Sequence, residues 1–141
     1  MSVSYVPAAL RRLVIARAGN RCEYCLLHAA DSFYGCEIDH AISEKHGGAT
    51  NAANLAYSCY YCNRNKGSDI ATLHPVTGGF VGFFHPRRDV WADHFAFSPT
   101  DNVTFVPLTA IGEATIRILG INDADRVWER LILYNNGRYP R

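Results

Sequence analysis

Apolar residues recur at helical spacing near the start of the chain, where Pro7 opens and Gly19-Asn20 close a set formed by Ala8, Leu10, Leu13, Val14 and Ala18. Proline is tolerated in a first helical turn and glycine stops a helix, so this pattern predicts an α-helix that delivers the chain to Cys22. From Cys22 to Gly67 the rhythm breaks: apolar runs are short and Cys, His, Asn and Gly are frequent. Loose alternation predicts a strand over Cys36 to Ile42. The signals His46-Gly47-Gly48 and Thr50-Asn51 predict a loop over 45–54, and Leu55 to Ser58 a second strand. Tyr60 to Lys66 then reads as a short helix stopped by Gly67.

After Asp69 the character changes. Pro75, Gly78 and Gly79 mark a turn before the apolar run Phe80 to Phe84, and Phe95 to Phe97 with Val103 to Val106 predict a hairpin. Ala110 to Leu119 and Asp123 to Asn135 predict two helices around Gly120. For the second, Asn122 or Asp123 is available as a cap, and Val127, Trp128, Leu131 and Ile132 form the expected core-facing stripe. Trp91, Phe95, Phe97 and Trp128 are expected in the core. The reading is an α+β fold: residues 1–69 hold an N-terminal helix and a strand–loop–strand–helix unit, and residues 70–141 form an extension packed on it as one compact unit.

With 141 residues, 48% of them hydrophobic and 19% charged, the composition is that of a globular protein. No apolar stretch approaches the roughly 20 residues of a membrane span. No leader-like segment stands at the N-terminus, so a cytoplasmic location is expected. A formal net charge of +1 does not by itself mark a nucleic-acid binder. Placement says more: Arg11, Arg12, Arg17 and Arg21 precede Cys22 without an acid among them, and Arg64, Lys66, Arg87 and Arg88 form later basic pairs. A positive binding face and a solvated helix face both fit this placement.

Five cysteines without a leader argue against a disulfide framework. Four of them form two Cys-x-x-Cys pairs, Cys22/Cys25 and Cys59/Cys62, a spacing that lets each pair grip a tetrahedral Zn(II) from a tight turn. The 33 residues between the pairs exceed the roughly 15–20 of a zinc ribbon, so a further unit is built between them. Cys36 is read as a small buried hydrophobe, and His28 as superfluous to a site four thiolates already fill.

Between the pairs stand Ile38-Asp39-His40, Gly47-Gly48, Asn54-Leu55 and Cys62-Asn63-Arg64-Asn65-Lys66-Gly67. In this order the segment Arg21 to Asp69 resembles the HNH endonuclease family, in the subgroup whose ββα-metal (His-Me finger) core is clamped by two cysteine pairs. The resemblance implies a metal-dependent endonuclease acting on double-stranded DNA, with His40, Asp39, Asn54 and Asn63 as working residues. Asp39 and Asn63 would hold one divalent metal, and Asn54 would orient the base. The tail sequence Trp91 to Phe95 resembles small bacterial members through a weaker motif. A proline that many relatives carry after the Asp-His is replaced here by Ala41-Ile42-Ser43.

Phosphodiester hydrolysis needs a deprotonated water, a Lewis acid on the phosphate and relief of charge on the leaving oxygen. An unperturbed histidine is mostly neutral at cytoplasmic pH and can accept a proton, so His40 suits the general base. Oxygen donors such as Asp39 and Asn63 favour Mg(II) or Mn(II), which distinguishes this site from the structural Zn(II). Arg64, Lys66, His46 and Arg21 are candidate phosphate contacts, with solvated surface charge as the alternative. His74, His85 and His94 are expected to serve structure. Two further readings stay open: a zinc-containing DNA-binding or interaction module without cleavage, and an RNA-directed nuclease, because phosphate activation does not depend on the sugar. The oligomeric state is not legible in the sequence.

Overall fold

The computed structural model describes residues 4–141. Helix α1 spans Ala8–Arg17, and the chain turns out of it through Gly19 and Asn20, both at positive φ. Strands β1 (Cys36–His40) and β2 (Leu55–Cys59) pair antiparallel, with Cys36 opposite Cys59 and His40 opposite Leu55. Helix α2 (Tyr60–Lys66) follows directly, so β2 delivers Cys59 as the helix cap while Cys62 sits one turn inside. Gly67 ends α2 at φ 53°, a conformation that costs other residues more than glycine.

The extension adds a hairpin of β3 (Ala71–Leu73) and β4 (Phe80–Gly82), the short helix α3 (Trp91–His94), and a second hairpin of β5 (Phe95–Phe97) and β6 (Phe105–Pro107). Helices α4 (Ala110–Leu119) and α5 (Ala124–Asn135) complete the order. Neither the β3–β4 pairing nor α3 was expected; three-residue strands and a single turn carry too little periodicity to announce themselves. Thr109 caps α4 by accepting the N–H of Gly112. Within α4, the buried Thr115 hydroxyl accepts the Phe84 N–H at 2.8 Å, tying the helix to the chain that follows β4.

Two apolar clusters meet at the β1–β2 hairpin, where Cys36 packs against both. Val6, Val14, Ala18, Leu55 and Tyr57 join α1 to the sheet, with Cys36 and Ile38 of β1 packed against them. The second cluster gathers the four paired cysteines, Tyr24, Phe84, Phe95, Phe105, Leu119 and Ile121. Side chains alternate along a strand, so β1 turns Ile38 towards α1 and Glu37 and Asp39 towards α2.

Helix α5 lies in the expected place but with a different face inward. Trp128 is 64% exposed and Ile132 46%, while Arg126 and Arg130 are buried. The apolar stripe expected from Val127, Trp128, Leu131 and Ile132 is therefore corrected, and Trp128 is not core. The reason is hydrogen bonding: Arg130 donates to the carbonyls of Val103 and Ile121 and stacks over the Phe105 ring at 5.1 Å, and Arg126 donates to Leu119 O. These carbonyls lie where α4 and the hairpin end. Left unpaired and buried, each would cost about 1–3 kcal/mol.

The loop from β1 to β2 is held by one side chain. Asn54 accepts the Ile42 N–H at 2.9 Å and donates to Ile42 O and Ala49 O at 2.8 and 2.9 Å. Gly47 takes a left-handed conformation, and Gly48 then presses so close that a Cβ there would stand 1.7 Å from Ile42 O. We expect Gly48→Ala to force the loop off its clasp and to lower stability by about 1–3 kcal/mol, the usual cost of overpacking, with the loss read from denaturant unfolding. A Gly48→Ala protein as stable as wild type would show that the clasp does not hold the loop.

Candidate functional site

Two constellations are built around α2, one through Cys62 and one through Asn63 and Lys66. The first is the thiol cluster. Cys22 and Cys25 flank a turn in which Cys22 N donates to Leu27 O and Leu26 N to Cys22 O, with Leu26 at positive φ. This turn faces the junction of β2 and α2, and the four Sγ atoms all lie within 4.8 Å of one another, buried. Cys25 and Cys59 Sγ are 3.7 Å apart. A tetrahedral zinc with bonds of about 2.3 Å sets its sulfurs roughly 3.8 Å apart, so the cluster has the dimensions and donor chemistry of a structural zinc site.

Such a site carries two net negative charges in the interior, and one cation meets them. Arg126 of α5 places Nη2 3.0 Å from Cys62 Sγ and 3.8 Å from Cys59 Sγ. Burial alone would lower the pKa of this guanidinium; the neighbouring thiolates outweigh burial and raise it. Tyr139 closes the cluster from another side by donating to Cys25 O at 2.6 Å. Cys36, half-buried beside the cluster, has its thiol pushed up to about 12 by burial and by the thiolates of Cys25 and Cys62. It is therefore a protonated neighbour outside the metal-ligand group.

The second constellation spans β1 and α2. Asn63 Nδ2 donates to Glu37 Oε2 at 2.8 Å, and Lys66 Nζ contacts Asp39 Oδ2 at 3.0 Å, so strand and helix are joined by two rungs. The outer rung borders a cavity of about 440 Å³ lined by Glu37, Tyr60, Asn63, Arg64 and Gly67. The inner rung is closed: Asp39 is 3% exposed, and Lys66 is 1% exposed and also donates to His40 O. Burial raises the Asp39 carboxyl above its ordinary range, and the charge and hydrogen bond of Lys66 offset part of that rise. Lys66, expected as a phosphate contact, is thus corrected to a buried tie between α2 and β1. Removing one partner from such a pair costs about 3–5 kcal/mol.

His40 lies on the other face of β1, buried. Its Nε2 is 2.8 Å from Thr50 Oγ1, and Thr50 in turn donates to Glu44 Oε1 at 3.4 Å. Where the single Thr50 proton goes to Glu44, the proton between Thr50 and the ring comes from Nε2. Nε2 also stands 3.8 Å from the same Glu44 oxygen, which further favours the Nε2–H tautomer. Nδ1 is then the basic nitrogen, and it is buried with no hydrogen-bond partner among the described residues. Glu44 is itself held at the turn Glu44–His46 and receives the Ser4 hydroxyl.

The structure does not bring Asp39 and Asn63 together in the way expected of a metal pair: Asp39 turns to Lys66, while Asn63 turns to Glu37. Asn54 clasps backbone and makes none of its hydrogen bonds to the His40 ring; that contact belongs to Thr50. Arg64 is exposed and donates to Tyr60 Oη at 2.8 Å. His46 is exposed on its loop. Arg21 donates to Arg141 O at 3.0 Å. Sequence reasoning missed Glu37, Glu44, Thr50 and Arg126. Glu37 could have been found from its period-two relation to Asp39, whereas nothing local marks Arg126 as a partner of the cysteines.

Residues 22–69 match the HNH endonuclease family model. The match covers the four cysteines, both rungs and the His40–Thr50–Glu44 chain. A search of curated proteins finds no match to the chain.

Structural zinc in small domains contributes on the order of 10 kcal/mol of apparent binding free energy, comparable with the whole net stability of a typical protein. One zinc per chain is expected by metal analysis, and Cys59→Ser or strong chelation should abolish the cooperative thermal transition. Arg126→Met should leave the stoichiometry intact but release zinc to a chromogenic chelator at least about tenfold faster, since a charge-assisted hydrogen bond worth about 1.5–3 kcal/mol is lost. Unchanged release would show that Arg126 does not stabilise the thiolates.

Proposed function

We propose that the segment matching the HNH endonucleases hydrolyses phosphodiester bonds of DNA, with His40 as the general base. The single observation that carries this reading is the His40 ring, with Nε2 committed to Thr50 and Nδ1 left as a partnerless buried nitrogen. A base needs its lone pair free and its tautomer fixed, and the Glu44–Thr50 pair meets both requirements.

The family resemblance implies a divalent cation at this site. The α2-facing side of β1 fits one by donor chemistry: Glu37 offers a carboxylate at the cavity, and Asn63 carries an amide oxygen in the group that now gives its N–H to Glu37. Asp39 follows on the same strand face. Glu37 and Asn63 would hold Mg(II) or Mn(II), which when bound polarises the phosphate and offsets charge on the leaving oxygen, with Asp39 free to join them only on release from Lys66. Once substrate brings the His40 ring, 2% exposed on the opposite face of β1, to the same phosphate, Nδ1 would take a proton from water as its oxygen bonds to phosphorus, and the bond from phosphorus to the leaving sugar oxygen would break. Exposed Arg64, with its charge at the cavity rim, is placed to meet a flanking phosphate. The extension acts with this segment as one unit, since α5 supplies the cation that faces the thiolates.

A second reading is a zinc-containing DNA-binding module without cleavage. It draws on the 2% exposure of His40 and on the Lys66 cation paired with Asp39. Purified protein with Mg(II) or Mn(II) and supercoiled plasmid separates the two. We expect wild type to convert the plasmid to nicked or linear forms and His40→Ala to lose at least about a hundredfold in rate, within the ~10²–10⁴ that general acid–base catalysis supplies. Thr50→Val should lower kcat about tenfold with little change in KM. If wild type and His40→Ala leave the plasmid equally intact with every metal, the module reading stands. Matched RNA run in parallel tests the sugar.

A further inference from the structure

An aromatic row reaches the cavity beside Glu37 and Asn63 through Tyr60, and nothing in the catalytic reading uses it. Phe33 and Tyr34 stack edge to face at 4.9 Å, Tyr34 lies over Tyr60 at 4.4 Å with planes 34° apart, and Tyr60 meets Tyr61 at 5.3 Å. Three of the four are open to solvent: Phe33 is 92% exposed, Tyr34 59% and Tyr61 42%. Phe33 and Tyr34 are the two central residues of a tight turn, closed by Gly35 N to Ser32 O at 3.1 Å and by the Ser32 hydroxyl to Gly35 O at 3.0 Å, with Gly35 at positive φ. Turn centres ordinarily hold polar residues, Gly or Pro. Two large rings held there by a braced turn form a preset platform.

The occupant follows from charge, continuity and ring geometry. Tyr60, between Tyr34 and Tyr61 in the row, lines the cavity together with Arg64, and the Arg64 guanidinium sits 5.8 Å from the Tyr60 ring centre while donating to its hydroxyl. Base-stacking rings alternating with a cation for the backbone are the means by which proteins hold single-stranded nucleic acid. An intact duplex offers edges of bases in its grooves and keeps their faces stacked inside, so it has little to lay on these rings. We propose that Phe33, Tyr34, Tyr60 and Tyr61 form a stacking platform for unpaired DNA bases, which leads a single strand or a frayed junction past Arg64 into the cavity.

This deepens the nuclease reading and rests on it for the position of the scissile phosphate, but binding can be measured apart from cleavage. The full chain with its zinc is titrated, with no added divalent cation and no chelator, into a fluorescein-labelled twelve-residue thymidine oligonucleotide and into a duplex of equal length, read by anisotropy. Wild type should bind the single strand at least about tenfold more tightly than the duplex. The double variant Phe33→Ala/Tyr34→Ala should weaken single-strand binding by about ten- to a hundredfold, the loss expected for removing base stacking, and leave duplex binding unchanged. Phe33→Tyr should retain binding, and in Phe33→Trp the new indole emission should be quenched by the single strand and not by the duplex.

An unaltered thermal transition checks that the variants fold. Single-strand binding that survives the double variant, or falls equally for single strand and duplex, overturns the proposal. So does a wild-type dimer that dissociates in the double variant while oligonucleotide binding is unchanged, which would make the row a self-association surface. A protein that binds as expected but cleaves no plasmid would sink the nuclease reading and leave the platform standing.

Discussion

Four thiolates drawn within 4.8 Å of one another in the interior repel and must be compensated, and most of the architecture is arranged around that requirement. A metal ion held between the sulfurs would supply the larger share, and Arg126 supplies a further charge from α5. The cluster fixes the turn after α1 against the junction of β2 and α2, so it sets where α2 begins and which of its sides faces β1. The extension is drawn in as well: Arg126 and Arg130 turn their helix inward, and Tyr139 reaches back to Cys25. With a metal bound there, deleting any one thiolate would remove a metal bond and leave the remaining charges unbalanced in a low-dielectric interior, where electrostatic interactions are strong.

The β1 strand converts this scaffold into a site by having two faces. Towards α2 it presents Glu37 and Asp39, each matched by a residue one helical turn apart, Asn63 and Lys66. On its other face it presents His40, whose ring is fixed by Thr50 from the loop that Asn54 clasps. The imidazole and the two carboxylates thereby project from opposite faces of one strand. Gly48 has a similar spatial duty, since only the absence of a Cβ lets the loop close on Ile42 O.

Lys66 and Trp128 illustrate how side-chain type and side-chain placement part company. A lysine is normally solvated and a tryptophan normally buried, yet here Lys66 is 1% exposed and Trp128 64%. Lys66 goes inside because Asp39 and a backbone carbonyl at the end of β1 are buried there and need a donor. Trp128 goes outside because the inward face of its helix is occupied by arginines that satisfy carbonyls and thiolates. In both cases a buried polar demand outweighs the transfer preference of the side chain.

The sequence by itself determined the elements whose signals are local. The two cysteine knuckles follow from a fixed spacing, and α1, β1, β2, α2, α4 and the β5–β6 hairpin follow from periodicity, caps and stops within a few residues. The order of Asp39-His40, Asn54 and Asn63 between the knuckles also named the family that the segment matches. Only the tertiary structure decided which atoms meet. Arg126 reaches Cys59 across 67 positions, Asn63 reaches Glu37 across 26, and Thr50 makes the contact to the histidine ring while Asn54 holds the backbone just after it. Periodicity records which residues share a face, but the rotation of that face is set by the buried charges and carbonyls brought to it by distant segments. No local pattern carries that information.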